Sequence, residues 1–263
     1  YYMISEIGST TDDGDGTIGQ RVKKDGRSYF ATTDSTFVSF TGTNALARLS
    51  GSQAGGSDTN NINGRVGEVI AYAQNATQTK TETQRIETYL ALKYGKTLSN
   101  VDILSGITEG DYVLSDGTTV VWAGNITGVT AGADAAWHYN VAGIGRDDVS
   151  GLYQKIGKSI NNDEIMTVAL DNDFTTANSD ASRVGTFAAD KQWIMWGTNG
   201  GSKYFDTPVS TTNTNTRQGL VYKMKFTGAG FTSQSVNIKF ANDNVLRLKN
   251  GQNYVILESA TAD

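Results

Sequence analysis

GIGRDDVSGLYQKIGKSIN, residues 143–161, sets two glycines and an Arg-Asp-Asp triplet against a run that reads as the start of a strand. A phosphate cradle, a carboxylate pair, a metal loop or a bend could each use such a stretch. A dinucleotide fingerprint needs Gly-x-Gly-x-x-Gly between a strand and a helix; Asp148 stands at the third glycine and no helical period follows. Asp147 and Asp148 are adjacent, so in an extended chain their carboxylates leave opposite faces and do not converge on one bond. What remains is a bend. Gly145 permits backbone angles closed to other residues, an Asp at a turn can bond its own downstream amides, and Arg146 is placed to pair with either carboxylate. The stretch therefore reads as a turn between strands, or as one whose loop also supplies oxygen to calcium or a ligand.

The rest of the chain agrees with a β reading. Its 263 residues include 30 glycines, one proline and no cysteine, among many Thr, Ser, Asn and Asp, which describes short strands joined by polar turns. The length suits two domains. With 27 acidic against 22 basic residues and no Lys/Arg cluster, nothing builds the positive stripe a nucleic acid requires. No apolar run approaches the ~20 residues that cross a bilayer, so no membrane insertion is expected in this segment. Without cysteine there is neither a disulfide framework nor a thiolate metal site, and the single histidine, His138, excludes a multi-histidine zinc centre within one chain. The chain opens on Tyr1 with no initiator Met or signal peptide, and is expected to be a piece of something longer.

The hydrophobic period switches within NGRVGEVIAYAQNATQTKTETQRIETYLALKYGKTLSN, residues 63–100. Val66, Val69, Ile70 and Tyr72 suit a buried strand. Thr81 with Gln84 then reads as a capping box, Ile86, Tyr89, Leu90 and Tyr94 follow at helical spacing, and Gly95 supplies the C′ position. A helix from about Thr81 to Tyr94 should dock its Ile86, Tyr89 and Leu90 face on a sheet beside the 66–72 strand. Gly-x-Val-x-Glu-Val-Ile-x-Tyr followed by Ile-Glu-x-Tyr-Leu-Ala-x-Lys-Tyr-Gly resembles the closing strand and helix of concanavalin-like (LamG-like) jelly-roll domains of bacterial surface proteins. The following order, from Tyr-Asn-x-Ala-Gly-Ile-Gly-Arg-Asp-Asp to Trp-x-Met-Trp-Gly, resembles an uncharacterised β module that often follows such domains in large secreted or surface-displayed proteins. The resemblance implies a mostly β chain. Residues 1–98 would form the C-terminal part of an incomplete or short jelly-roll-type sandwich with one linking α-helix, and residues 99–263 a second β-sandwich-like domain.

Candidate ligands are oxygen and aromatic groups. TTDDGDGTIG offers Asp12, Asp13 and Asp15 around Gly14 and Gly16, a calcium loop by chemistry or an acidic solvated hairpin. It is not an EF-hand, since Thr11 would fill the first ligand position and Val22 the place of the bidentate Glu. In ALDNDFTTANSDAS, residues 169–182, Asp171 and Asp173 are two apart and share a side of an extended chain, with Asn172, Asn178 and Asp180 nearby. That arrangement suits calcium or a polar ligand, or a long surface loop with hydrogen-bonding turns. Trp193 and Trp196, at odd spacing, should leave opposite faces of a strand, one in the core and one open to a sugar. Trp137, beside His138, reads as a surface aromatic.

Catalytic machinery is sparse. There is no Gly-x-Ser-x-Gly elbow, His138 is the one conventional histidine base, and Glu164 has no acidic partner two or four residues beyond it, as a two-carboxylate glycosidase strand would require. The expectation is a non-enzymatic, calcium-supported module of a large bacterial adhesin on the cell surface, taking a glycan or peptide of another cell or of the matrix. Trp137, Tyr139, Asp147, Asp148, Asp171 and Asp173 form the expected binding patch, and Asp12, Asp13, Asp15, Asp171 and Asp173 the metal candidates. The alternative is a structural spacer or fibre subunit completed by neighbouring copies; a glycan-cleaving enzyme is the remote third.

Overall fold

The computed structural model describes residues 5–9, 19–25, 27–32, 65–70, 80–100, 109–126, 131–161, 164–210 and 213–241. Tyr72, Asp12, Asp13 and Asp15 lie outside the described residues. In chain order the elements are β1 (Ser5–Ser9), β2 (Gly19–Lys24), β3 (Arg27–Thr32), α1 (Lys80–Tyr94), β4 (Asp111–Val113), β5 (Val120–Ala123), a 3-10 turn (Ala135–Trp137), β6 (Tyr139–Asp147) and β7 (Leu152–Gln154). There follow β8 (Ile156–Lys158), β9 (Met166–Ala169), β10 (Trp193–Thr198), β11 (Thr207–Ser210), β12 (Asn213–Arg217), β13 (Tyr222–Thr227) and β14 (Asn237–Phe240). The protein is mostly β with one α-helix among the described residues, and every strand pair is antiparallel.

A four-stranded sheet in the order β13-β10-β6-β7 is the centre of the packing. Side chains alternate across a strand, and here both faces are covered. From β6 and β10, Val141, Trp193 and Met195 enter one core with Ala91 and Leu92 of α1 and with Tyr112 and Trp122 of the β4-β5 hairpin. Ala142, Ile144, Ile194 and Trp196 enter a second core with Met166 and Val168 of β9. The second core joins the central sheet to the three-stranded sheet β14-β9-β8 as a sandwich. Trp193 and Trp196 do leave opposite faces. The expectation that one stays open fails, because both faces carry a layer and both indoles are 0% exposed.

Near the N-terminus, β1, β2 and β3 form an antiparallel sheet in that order. Its β2-β3 turn touches the segment after α1: Ser99 N–H donates to Asp25 O at 2.6 Å and Lys96 pairs with Asp25 at 3.3 Å. Leu98 shares the core with Val141 and Trp193, so α1 and the segment that follows it pack with the β body. Among the described residues no helix is long and apolar enough to cross a membrane.

Two local expectations need correction. Residues 65–70 form no strand, and Val66 and Val69 are 52% and 57% exposed. The segment is tied to the helix instead: Glu68 accepts from Tyr89 Oη at 3.0 Å, Lys93 Nζ at 3.0 Å and Tyr94 Oη at 3.1 Å. The buried stripe of α1 is Thr83, Glu87, Thr88, Ala91 and Leu92, while Ile86, Tyr89 and Leu90 are half-buried. Small and polar residues face inward because β4 comes close enough for Val113 N–H to donate to Thr88 Oγ1 at 2.8 Å. The C-terminus is as expected, with Gly95 at φ +66° and Lys96 N–H donating to Ala91 O at 2.9 Å in a Schellman closure. Leu92→Ala should therefore cost about 2–5 kcal/mol, and Leu90→Ala clearly less, in urea unfolding. Equal losses would contradict the observed rotation of the helix.

Candidate binding site

The 143–161 stretch is the β6-β7 hairpin followed by β8. Gly143 and Gly145 lie opposite Met195 and Trp193 in the β6-β10 register, and a Cβ on either glycine would run into those side chains. Gly145 thus provides space rather than an unusual backbone angle; the left-handed residue is Gly151, at φ +67°, in the turn. Asp147 is buried, accepting from Ser115 N–H at 3.0 Å and from the Ser115 hydroxyl. Asp148 is exposed and held by Arg146 Nε at 2.6 Å and Nη2 at 2.8 Å. The two carboxylates diverge, each with an internal partner.

Residues 171–183 close around Arg183, whose side chain is 0% exposed. Its Nη2 donates to Asp171 Oδ1 at 2.8 Å and Asp173 O at 2.6 Å, and its Nη1 to Thr176 O at 2.6 Å. Asp173 Oδ1 accepts from Thr176 N–H at 3.0 Å and Thr175 N–H at 2.8 Å, and these bonds hold its carboxyl well below the usual range. A calcium ion at Asp171 and Asp173 would have to displace a buried guanidinium and the turn amides. Among the described residues no three His, Cys, Asp or Glu side chains gather as metal ligands.

The expected patch is not brought together. Tyr139 opens β6 and Asp147 ends it, which puts them roughly 26 Å apart at ~3.3 Å per strand residue. Tyr139 is exposed beside Gly200, whereas Trp137 is half-buried against the core with α1 rather than a free surface aromatic. His138 is buried with Nε2–H donating to Leu98 O at 2.8 Å; burial lowers its pKa, leaving a neutral structural ring.

Two grooves of about 280 Å³ each flank α1. The first has Asp147 and Ser115 in its lining and walls including Arg85, Ile86, Tyr89 and Val149. Its polar groups are largely spent: Asp147 on Ser115, Arg85 on Glu82 at 2.7 Å, and Glu68 on Tyr89 and Lys93. The second groove lies between the C-terminal end of α1 and the outer face of β8 and β9, between Tyr94 and Phe174, with Lys93, Lys158, Thr167 and Asn178 in its lining. Asn178 fixes the Phe174 loop, accepting from Lys155 N–H at 2.7 Å and Ile156 N–H at 2.9 Å. Among the described residues its lining contains no Asp or Glu. The 169–182 loop thus reaches a groove through Phe174 and Asn178, not through Asp171 and Asp173. Lys158 and Thr167 escaped the sequence reading because only strand register brings them together.

One buried acid stands apart. Glu164 is 4% exposed, accepts from Met166 N–H and from Tyr222 Oη at 2.9 Å, and among the described residues its Oε2 has no partner. Burial pushes its pKa up to about 7, against the lowering effect of those bonds and of Lys158. The folded state therefore holds a proton that the unfolded state releases near pH 4.5. Its stabilisation is full below that pH and fades as pH rises through about 7, a loss of roughly 3 kcal/mol at ~1.4 kcal/mol per unit. Glu164→Gln should flatten the fall of urea-unfolding stability between pH 5 and about 8. A slope unchanged by the substitution would contradict a buried neutral acid.

No curated protein and no solved structure matches the chain. A family model matches residues 82–263, from the first turn of α1 through the β body, and on that match the chain belongs to the family described as Domain of unknown function (DUF8202).

Proposed function

We propose that this chain is a non-enzymatic ligand-binding module of a large bacterial surface adhesin, displayed outside the cell, and that it takes a glycan in the groove between Tyr94 and Phe174. The observation that carries the reading is that groove: two aromatic side chains at its sides, with ammonium, hydroxyl and amide groups around them. Aromatic faces suit the apolar C–H face of a pyranose, and a few polar groups orient its hydroxyls. The resemblance to surface-protein modules supports the extracellular setting. The diverging, internally bonded Asp147 and Asp148 support binding over bond cleavage. Among the described residues the groove has no carboxylate in its lining.

Glycan-array screening of the whole chain beside Phe174→Ala tests this. Binding that the substitution removes, with circular dichroism unchanged, is the expected result. Absence of binding to any glycan would turn the assignment to the structural spacer.

A further inference from the structure

Strand register places Lys158 of β8, Thr167 of β9 and Lys239 of β14 side by side in one row. The neighbouring residues of β9, Met166 and Val168, enter the core, so the row projects from the outer face of the sheet. Lys158 and Lys239 are two strand spacings apart, roughly 10 Å between Cα atoms, with the Thr167 hydroxyl between them. No described residue forms an ion pair with Lys158 or Lys239 or a hydrogen bond with the Thr167 hydroxyl. Lys239 Nζ lies 5.7 Å from the centre of the Phe174 ring, at the rim of the groove that Lys158 and Thr167 line.

We infer that the groove is selective for an anionic saccharide, a pyranose bearing a carboxylate or sulfate, with the anionic group seated over Thr167 between Lys158 and Lys239. The inference rests on the glycan reading above and adds the charge of the ligand. Lys93 does not serve as a third cation, because Glu68 already pairs with it at 3.0 Å. Asp173 stays anionic but is turned to Thr175 and Thr176, and Glu164, which feels the charge of Lys158, is buried, bonded to Met166 and Tyr222, and forms no ion pair with that lysine. The formal charge of the chain is −5, so selectivity for an anion must come from local charge-assisted contacts and not from long-range attraction.

Titration calorimetry with oligogalacturonate, a sulfated galactan oligomer and a neutral galactan oligomer of equal length tests the inference. At least one anionic oligomer should bind about tenfold tighter than the neutral one, and the two anionic arms identify which group is preferred. Lys158→Gln should remove most of that advantage and reduce its salt dependence, while Lys158→Arg retains it; thermal unfolding reports whether each variant is folded. Equal affinity for neutral and anionic oligomers, lost in Phe174→Ala, would overturn the charge selectivity and leave the glycan site standing. Binding of none of the three would overturn the selectivity, and silence across the wider array would remove the glycan site as well.

Discussion

Asp171→Ala should destabilise the protein by about 3–5 kcal/mol, the range for stranding one partner of a buried ion pair. Arg183 would remain buried with its charge uncompensated, still donating to Thr176 O and Asp173 O. Asp171→Asn keeps the size of the side chain and an acceptor for Asp173 N–H, but not the charge, and should lose a comparable amount. Replacing both partners by apolar residues should recover much of the loss, because the pair's own net contribution is small once its desolvation is counted. Urea unfolding of the two single variants and the double variant measures this directly. A loss below about 1 kcal/mol in Asp171→Ala would mean that the carboxylate is available to a ligand or metal after all.

Trp193→Ala should cost about 3–5 kcal/mol, as large aromatic truncations in packed cores do. The indole lies over Gly145 and shares its core with Leu92, Trp122 and Val141, so its loss opens a cavity against both α1 and the β4-β5 hairpin. Trp193→Phe should lose less, because among the described residues the buried indole N–H has no hydrogen-bond partner to forfeit. A Trp193→Ala variant as stable as the parent would contradict a central sheet covered on both faces.

The β class, the helix and its glycine stop were legible in local patterns, as was the divergence of Asp147 from Asp148, since each follows from short-range periodicity. The rotation of α1 was not. Its buried stripe contains Thr83, Glu87 and Thr88, and polar residues turn inward there because β4 supplies a backbone partner to Thr88. Asp171 and Asp173 looked like ligands because alternation placed them on one side. Arg183, twelve residues from Asp171, is what they enclose, and linear spacing did not announce it. The Lys158, Thr167 and Lys239 row draws on three strands whose alignment exists only in the folded sheet.

Residue-resolved NMR during titration with a saturating anionic or neutral oligosaccharide tests the proposed groove most directly. The account predicts amide shift changes clustered at 93–95, 156–158, 167 and 174–178, spreading to Lys239 for an anionic sugar. Changes confined to residues 147–150 and the exposed side of α1, with Phe174 and Lys158 silent, would contradict it.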